Sequence, residues 1–137
     1  MTYVSDTLRR LVRDRANRQC EYCLIHEEDT LLTHEIDHIV AQKHGGETTE
    51  SNLCLACERC NRYKGSDLSS IDPESGGVIT LYNPRLDNWD THFALDGAII
   101  SPLTPTGRAT VRLLQFNSSE RVTQRTELIS VQRYPPE

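Results

Sequence analysis

Two close pairs of cysteines constrain this chain more than any other feature: Cys20-Glu-Tyr-Cys23 and Cys57-Glu-Arg-Cys60. A Cys-x-x-Cys turn aims two sulfurs at one point. Two such turns complete the tetrahedron of a structural zinc ion, with Zn–S near ~2.3 Å. Closing that shell clamps the whole segment between Cys23 and Cys57 around the metal. A chain of 137 residues with 6% aromatic content suits one domain whose modest core leans on a metal. The N-terminus has no apolar leader pattern, and no apolar run approaches ~18 residues. The expectation is a cytoplasmic protein that neither is secreted nor spans a membrane. In that reducing compartment paired cysteines point to metal rather than disulfides, with a single four-thiolate iron as the other metal reading. Cys54 complicates the pairing, because Cys54 and Cys57 have the same spacing. We prefer Cys57 with Cys60, since Asn61 then falls beside the knot, and read Cys54 as a small buried hydrophobe.

Between the two knuckles lies Glu35-Ile36-Asp37-His38-Ile39. Phosphodiester hydrolysis needs an activated water, charge neutralisation at the phosphoryl group and help for the leaving oxygen. A neutral histidine is a natural base for water near pH 7. Asp37 can hold a cation, His38 can take the proton, and Asn61 offers a neutral second ligand. A hard ion such as Mg²⁺ uses few protein ligands of this kind. There is a geometric difficulty: adjacent residues of a regular strand point to opposite faces. A shared site calls for a bend or bulge between Asp37 and His38, and the amide of Asn52 can pin one.

The formal charge of −5 excludes a uniformly basic nucleic-acid glove. Cations are instead clustered, at Arg9, Arg10, Arg13, Arg15 and Arg18, and again at Arg59, Arg62 and Lys64. Ser5 reads as the cap of a helix over Asp6–Ala16, with Leu8, Leu11 and Val12 as its apolar stripe. Leu31–Ile39 has strand character, Gly45-Gly46 marks a loop, and Asn52–Leu55 is a short strand or turn. Glu58–Lys64 is a short helix stopped by Gly65. In the tail, Val78–Tyr82 follows Gly76-Gly77, and Asp96-Gly97 joins a hairpin of His92–Leu95 and Ala98–Ser101. Gly107–Phe116 reads as a helix capped by Thr106. Asn117 with Glu120 reads as a capping box for a last helix reaching Gln132, and Pro135-Pro136 as a frayed end.

These residues resemble the HNH endonuclease family, in its four-cysteine zinc branch. Glu35-Ile36-Asp37-His38-Ile39, Gly45-Gly46, Asn52-Leu53 and Cys57-Glu-Arg-Cys60-Asn61-Arg-Tyr-Lys64 follow the family pattern in order and spacing over about residues 9–66. The resemblance implies an α+β fold: a ββα-metal (His-Me finger, treble-clef-like) core with an N-terminal helix and a C-terminal extension of a hairpin plus helices. It places the nuclease core at 1–70 and the extension at 71–137. It implies Cys20, Cys23, Cys57 and Cys60 as ligands of a structural Zn²⁺, His38 as general base, Asp37 and Asn61 as ligands of a catalytic divalent ion, and Asn52 as the residue orienting the base. The signature ends in Asn61 rather than His, which favours Mg²⁺ or Mn²⁺ at the catalytic position. The tail resembles an extension found in many bacterial members, with no role attached.

The implied substrate is DNA, with RNA left open, no membrane partner and an open oligomeric state. Lys64, Arg62 and His44 are the candidate nucleic-acid contacts. Arg9 and Arg13 are candidates to track a backbone. His34 and Glu35 are secondary candidates for the site. His92 and Trp89 could fold over the cleft, although core packing is the expectation for both, and His26 reads as a loop residue. The rival reading is a non-catalytic zinc module binding nucleic acid or protein, which needs the cysteines but not Asp37, His38 and Asn61 together.

Overall fold

The computed structural model describes residues 3–137. Helix α1 spans Asp6–Arg15, and the Ser5 hydroxyl accepts the Leu8 N–H at 3.2 Å, as the capping signal predicts. Val12 on its inner face is fully buried and joins Val4, Leu53 and Leu55 in a small cluster edged by Leu8, Ala16 and Ile36.

Strands β1 (Glu35–His38) and β2 (Leu53–Ala56) form an antiparallel ribbon with Asp37 opposite Cys54 and His38 opposite Leu53. The predicted strand over Leu31–Ile39 is shorter than expected, because Leu31, Leu32 and Thr33 are exposed and outside the ladder. The period-two alternation divides the ribbon. Leu53 and Leu55 face α1, whereas Cys54 and Ala56 face the cysteine knuckles.

The expected break between Asp37 and His38 is absent, since the ladder runs unbroken through both. The chain bends one residue later, at Ile39–Val40. Asn52 is responsible. Its oxygen accepts the Val40 N–H at 2.9 Å, and its amide donates to the carbonyls of Val40 (2.9 Å) and Glu47 (2.8 Å). Gly46 makes room for this staple. A Cβ there would lie 1.7 Å from the Val40 oxygen and 2.9 Å from the Asn52 amide nitrogen. Gly46→Ala is therefore expected to lower stability by about 1–3 kcal/mol, read as a shift of the urea midpoint, because the clash is with backbone that cannot rotate away.

Helix α2 (Glu58–Lys64) follows β2 directly, capped by the Cys57 sulfur and ended by Gly65 at φ 53°. Residue order in this region is thus hairpin, then helix. Two further hairpins follow: β3 (Ser69–Ile71) with β4 (Val78–Thr80), and, after the short helix α3 (Trp89–His92), β5 (Phe93–Asp96) with β6 (Ile99–Pro102). The hairpin turns one residue later than the sequence predicts: Asp96 pairs with Ile99, so Gly97-Ala98 form the two-residue loop and both strands shift by one.

Helix α4 (Pro105–Leu113) begins earlier than expected. Thr104 is its cap, Pro105 occupies the first turn, and Thr106 donates instead to the Thr80 carbonyl. Helix α5 (Ser119–Ser130) is preceded by Ser118 rather than capped by Asn117. The Asn117 amide is committed to the backbone of Ile100 in both directions, at 2.9 and 2.8 Å. Next to the last residues, Tyr134 is buried. One cluster unites Cys20, Tyr22, Cys23, Cys57 and Cys60 with Tyr82, Phe93, Ile100, Leu114 and Phe116. The C-terminal elements thereby wall the cysteine site. Among the described residues no helix is long and apolar enough to cross a membrane.

Candidate functional site

The four sulfurs of Cys20, Cys23, Cys57 and Cys60 lie within 4.8 Å of one another, and all four residues are buried. A tetrahedron with ~2.3 Å metal–sulfur bonds has sulfur–sulfur edges of about 3.8 Å. The Cys23–Cys57 separation of 3.7 Å matches that edge. Each knuckle turns its own backbone toward a sulfur: Cys23 N–H donates to Cys20 Sγ and Cys60 N–H to Cys57 Sγ, both at 3.4 Å. Burial pushes the Cys20 and Cys60 thiols well up, whereas hydrogen bonds from the neighbouring thiols, Cys20 first, hold Cys23 well down, so the four do not all become thiolates without a cation. With a cation at its centre it is a metal site, and the donor set fits a structural metal such as zinc.

Cys54 lies apart from this set, on β2 opposite Asp37. Burial, then the Asp37 charge, pushes its thiol far up, so it stays protonated and lies 3.7 Å from both the Asp37 Oδ2 and the Tyr22 hydroxyl. The second knuckle therefore begins at Cys57. Cys54→Ala is expected to keep one zinc per chain by elemental analysis, with a stability loss of roughly 1 kcal/mol.

Asp37 is itself largely buried, on the face of the ribbon that meets α2. Its Oδ2 lies 3.3 Å from the Lys64 ammonium and accepts the Tyr22 hydroxyl at 3.4 Å. Its Oδ1 accepts no hydrogen bond among the described residues. Burial raises the Asp37 carboxyl despite the opposing pull of Lys64. A second cation beside it would favour the charged form. Asn61, on α2, donates its amide to Glu35 on the same ribbon face, leaving its own oxygen as an acceptor. Asp37, Asn61 and Glu35 thus supply hard oxygen donors to one side.

His38 takes the other side. It is half-buried, and its Nε2 lies 2.9 Å from the Thr48 hydroxyl in the loop that Asn52 staples. The Asn52 side chain bonds the backbone of Val40 and Glu47 rather than the imidazole, which bonds Thr48.

The remaining sequence candidates separate. Lys64 is buried against Asp37, with its ammonium also 3.4 Å from the carbonyls of His38 and Gly65, so it is not a surface phosphate contact. Arg62 is exposed, paired with Glu58 at 2.9 Å and lying over the Tyr63 ring. His44 is exposed, with Nε2 at 3.1 Å from the Ser66 carbonyl. His34 is buried on the cysteine side, where Nε2 meets the Ile25 carbonyl at 2.9 Å, and so lies outside the Asp37 site. Arg13 is committed to Glu27 and the His34 carbonyl, and Arg9 to the Val4 carbonyl. Trp89 and His92 pack in the core around Phe93. His26 caps a short 3₁₀ turn.

Sequence reasoning missed four participants. Tyr22 sits inside the first knuckle and reaches Asp37, a position that its spacing alone could have flagged. Thr48, Arg85 and Arg121 gave no local signal, since each meets its partner only through the fold.

Residues 20–67 match the family model described as HNH endonuclease. No curated protein and no solved structure matches the chain.

Proposed function

We propose, from the HNH endonuclease match over residues 20–67, that this protein is a metal-dependent endonuclease acting on DNA. The core would be the ββα-metal unit of β1, β2 and α2, within residues 1–70, with 71–137 as its extension. One observation carries the reading: the matched segment has oxygen donors and a half-buried imidazole on the two faces of one strand whose outer edge has no paired strand among the described residues.

Among the described residues β1 pairs with β2 alone, so its outer edge has no strand beside it, and Lys64 reaches the His38 carbonyl there. A phosphate lying along that edge can meet Asp37 and Asn61 from one face and His38 from the other. No bulge is then needed, because substrate rather than backbone brings the two faces together. Asp37 Oδ1 and the Asn61 oxygen would hold Mg²⁺ or Mn²⁺, and such an ion supplies charge neutralisation at the phosphoryl group and stabilisation of the leaving oxygen. His38 accepts the proton of the attacking water, with its ring held by Thr48. Lys64 and Tyr22 fix Asp37 Oδ2 from beneath, which leaves Oδ1 for the ion. Exposed Arg62 and His44 are the phosphate contacts outside the reacting centre. Cys20, Cys23, Cys57 and Cys60 hold the structural zinc that fixes the relation of ribbon to helix.

The test is nicking of supercoiled plasmid with Mg²⁺ or Mn²⁺ added, against the same reaction in EDTA. Cleavage that depends on the added ion is the expected result. A pure preparation that binds zinc but cuts neither DNA nor RNA under any divalent ion overturns the reading.

A further inference from the structure

The C-terminal extension touches the first knuckle at each residue from Glu21 to Cys23. The Arg85 guanidinium pairs with the Glu21 carboxylate, whose other oxygen accepts the Leu55 N–H at 2.8 Å. Trp89 Nε1–H donates to the Tyr22 carbonyl at 2.8 Å, and the Tyr134 hydroxyl to the Cys23 carbonyl at 2.8 Å. The second knuckle receives a contact of a different kind. From α5, Arg121 directs one nitrogen to Cys60 Sγ at 3.0 Å and lies 3.9 Å from Cys57 Sγ.

Arg121 is 2% exposed and has no carboxylate within ion-pair distance among the described residues. Arg125, equally buried on the same helix, is satisfied differently, by the carbonyls of Ala98 and Phe116 and the oxygen of Asn117. Arg121 uses one carbonyl, that of Leu114 at 2.6 Å, and gives its other end to sulfur. A buried guanidinium without a counter-charge is strongly unfavourable. Among the described residues the anionic groups it meets are the cysteine sulfurs. A tetrathiolate zinc centre carries two net negative charges, so one arginine beside it halves the excess.

We propose that Arg121 is the hydrogen-bonding partner of the four-cysteine metal centre, and that through this one side chain the extension serves to retain that metal. An N–H···S bond draws electron density from the thiolate and makes it a poorer nucleophile toward protons, alkylating agents and competing metals. The location suits such a guard. A groove of about 410 Å³ opens beside the knot, lined by Cys23, Cys57 and Arg121 together with Leu31 and Leu32. A chelator entering there meets Arg121 next to the sulfurs. This inference rests on the metal site and not on the nuclease reading.

The experiment measures zinc transfer from the folded, zinc-loaded protein to 4-(2-pyridylazo)resorcinol, in wild type and in Arg121→Gln, Arg121→Lys and Tyr134→Phe. Tyr134→Phe removes a clamp bond to a knuckle carbonyl while leaving the sulfurs untouched. The expected result is one zinc per chain in all four, with release 10–100-fold faster in Arg121→Gln, intermediate in Arg121→Lys and close to wild type in Tyr134→Phe. Iodoacetamide labelling of the knuckle cysteines should follow the same order. If release merely tracks the melting temperature across the series, Arg121 is a packing residue and the proposal fails. Should Arg121→Gln not fold, Arg121→Lys carries the test, and release at the wild-type rate overturns it.

Discussion

His38→Ala is expected to lower the rate of plasmid cleavage by about 10²–10⁴-fold while leaving zinc content and the unfolding midpoint nearly unchanged. The two halves of that outcome have separate physical grounds. The large rate effect follows from removing the imidazole of β1, with neither His34 nor His44 placed to replace it: His34 is buried on Ile25, and His44 lies out at Ser66. The small stability effect follows from exposure. His38 is half-buried and makes one side-chain hydrogen bond, to Thr48, so truncation leaves a hydroxyl that water can satisfy. Cleavage rates under saturating Mg²⁺, with elemental analysis and a thermal melt on the same preparation, check both. A variant that cuts at the wild-type rate removes His38 from the mechanism. A variant that loses zinc or unfolds shows instead that the imidazole is structural.

The result also bears on how the two faces of the ribbon cooperate. The sequence pattern set Asp37 and His38 in one site and so called for a distorted strand. The register shows an undistorted one, with Asn52 bending the chain only after Ile39. Spacing along a strand fixes which face a residue takes, but not whether both faces border the same open edge. That depends on whether a third strand pairs with β1, and among the described residues none does, which is a tertiary fact.

Much else was legible because it is local. The Ser5 cap, the helix over Glu58–Lys64 with Gly65 beyond it, the hairpin at Gly97 and the choice of Cys57 over Cys54 each follow from residues within a few positions of one another. What was not legible is long-range. Asn117 reads as a cap until the backbone of Ile100 claims its amide. Lys64 reads as a phosphate contact until Asp37 and the carbonyls of His38 and Gly65 enclose it. Arg121 reads as an ordinary solvated helix residue, and nothing near it in sequence indicates that it meets sulfur.

Those long-range contacts make the second prediction larger than the loss of one ligand. Cys60→Ser is expected to abolish stoichiometric zinc binding and the cooperative thermal transition together. Structural zinc sites contribute about 10–16 kcal/mol of apparent binding free energy, and that energy is coupled to folding. A domain's whole stability is only about 5–15 kcal/mol. Here the knot belongs to the main apolar cluster, with Phe93, Ile100, Leu114 and Phe116, so without it only the small cluster of Val4, Val12, Leu53 and Leu55 between α1 and the ribbon is left intact. The substitution also takes away the sulfur that Arg121 meets at 3.0 Å, leaving a buried guanidinium with less counter-charge. Chelation of the wild-type protein should reproduce the effect, whereas Cys54→Ala should not, since Cys54 belongs to the Asp37 network. A melt and near-ultraviolet circular dichroism on the three proteins decide the matter. A Cys60→Ser protein that melts cooperatively without zinc would mean that the apolar cluster, and not the metal, holds the ribbon against α2.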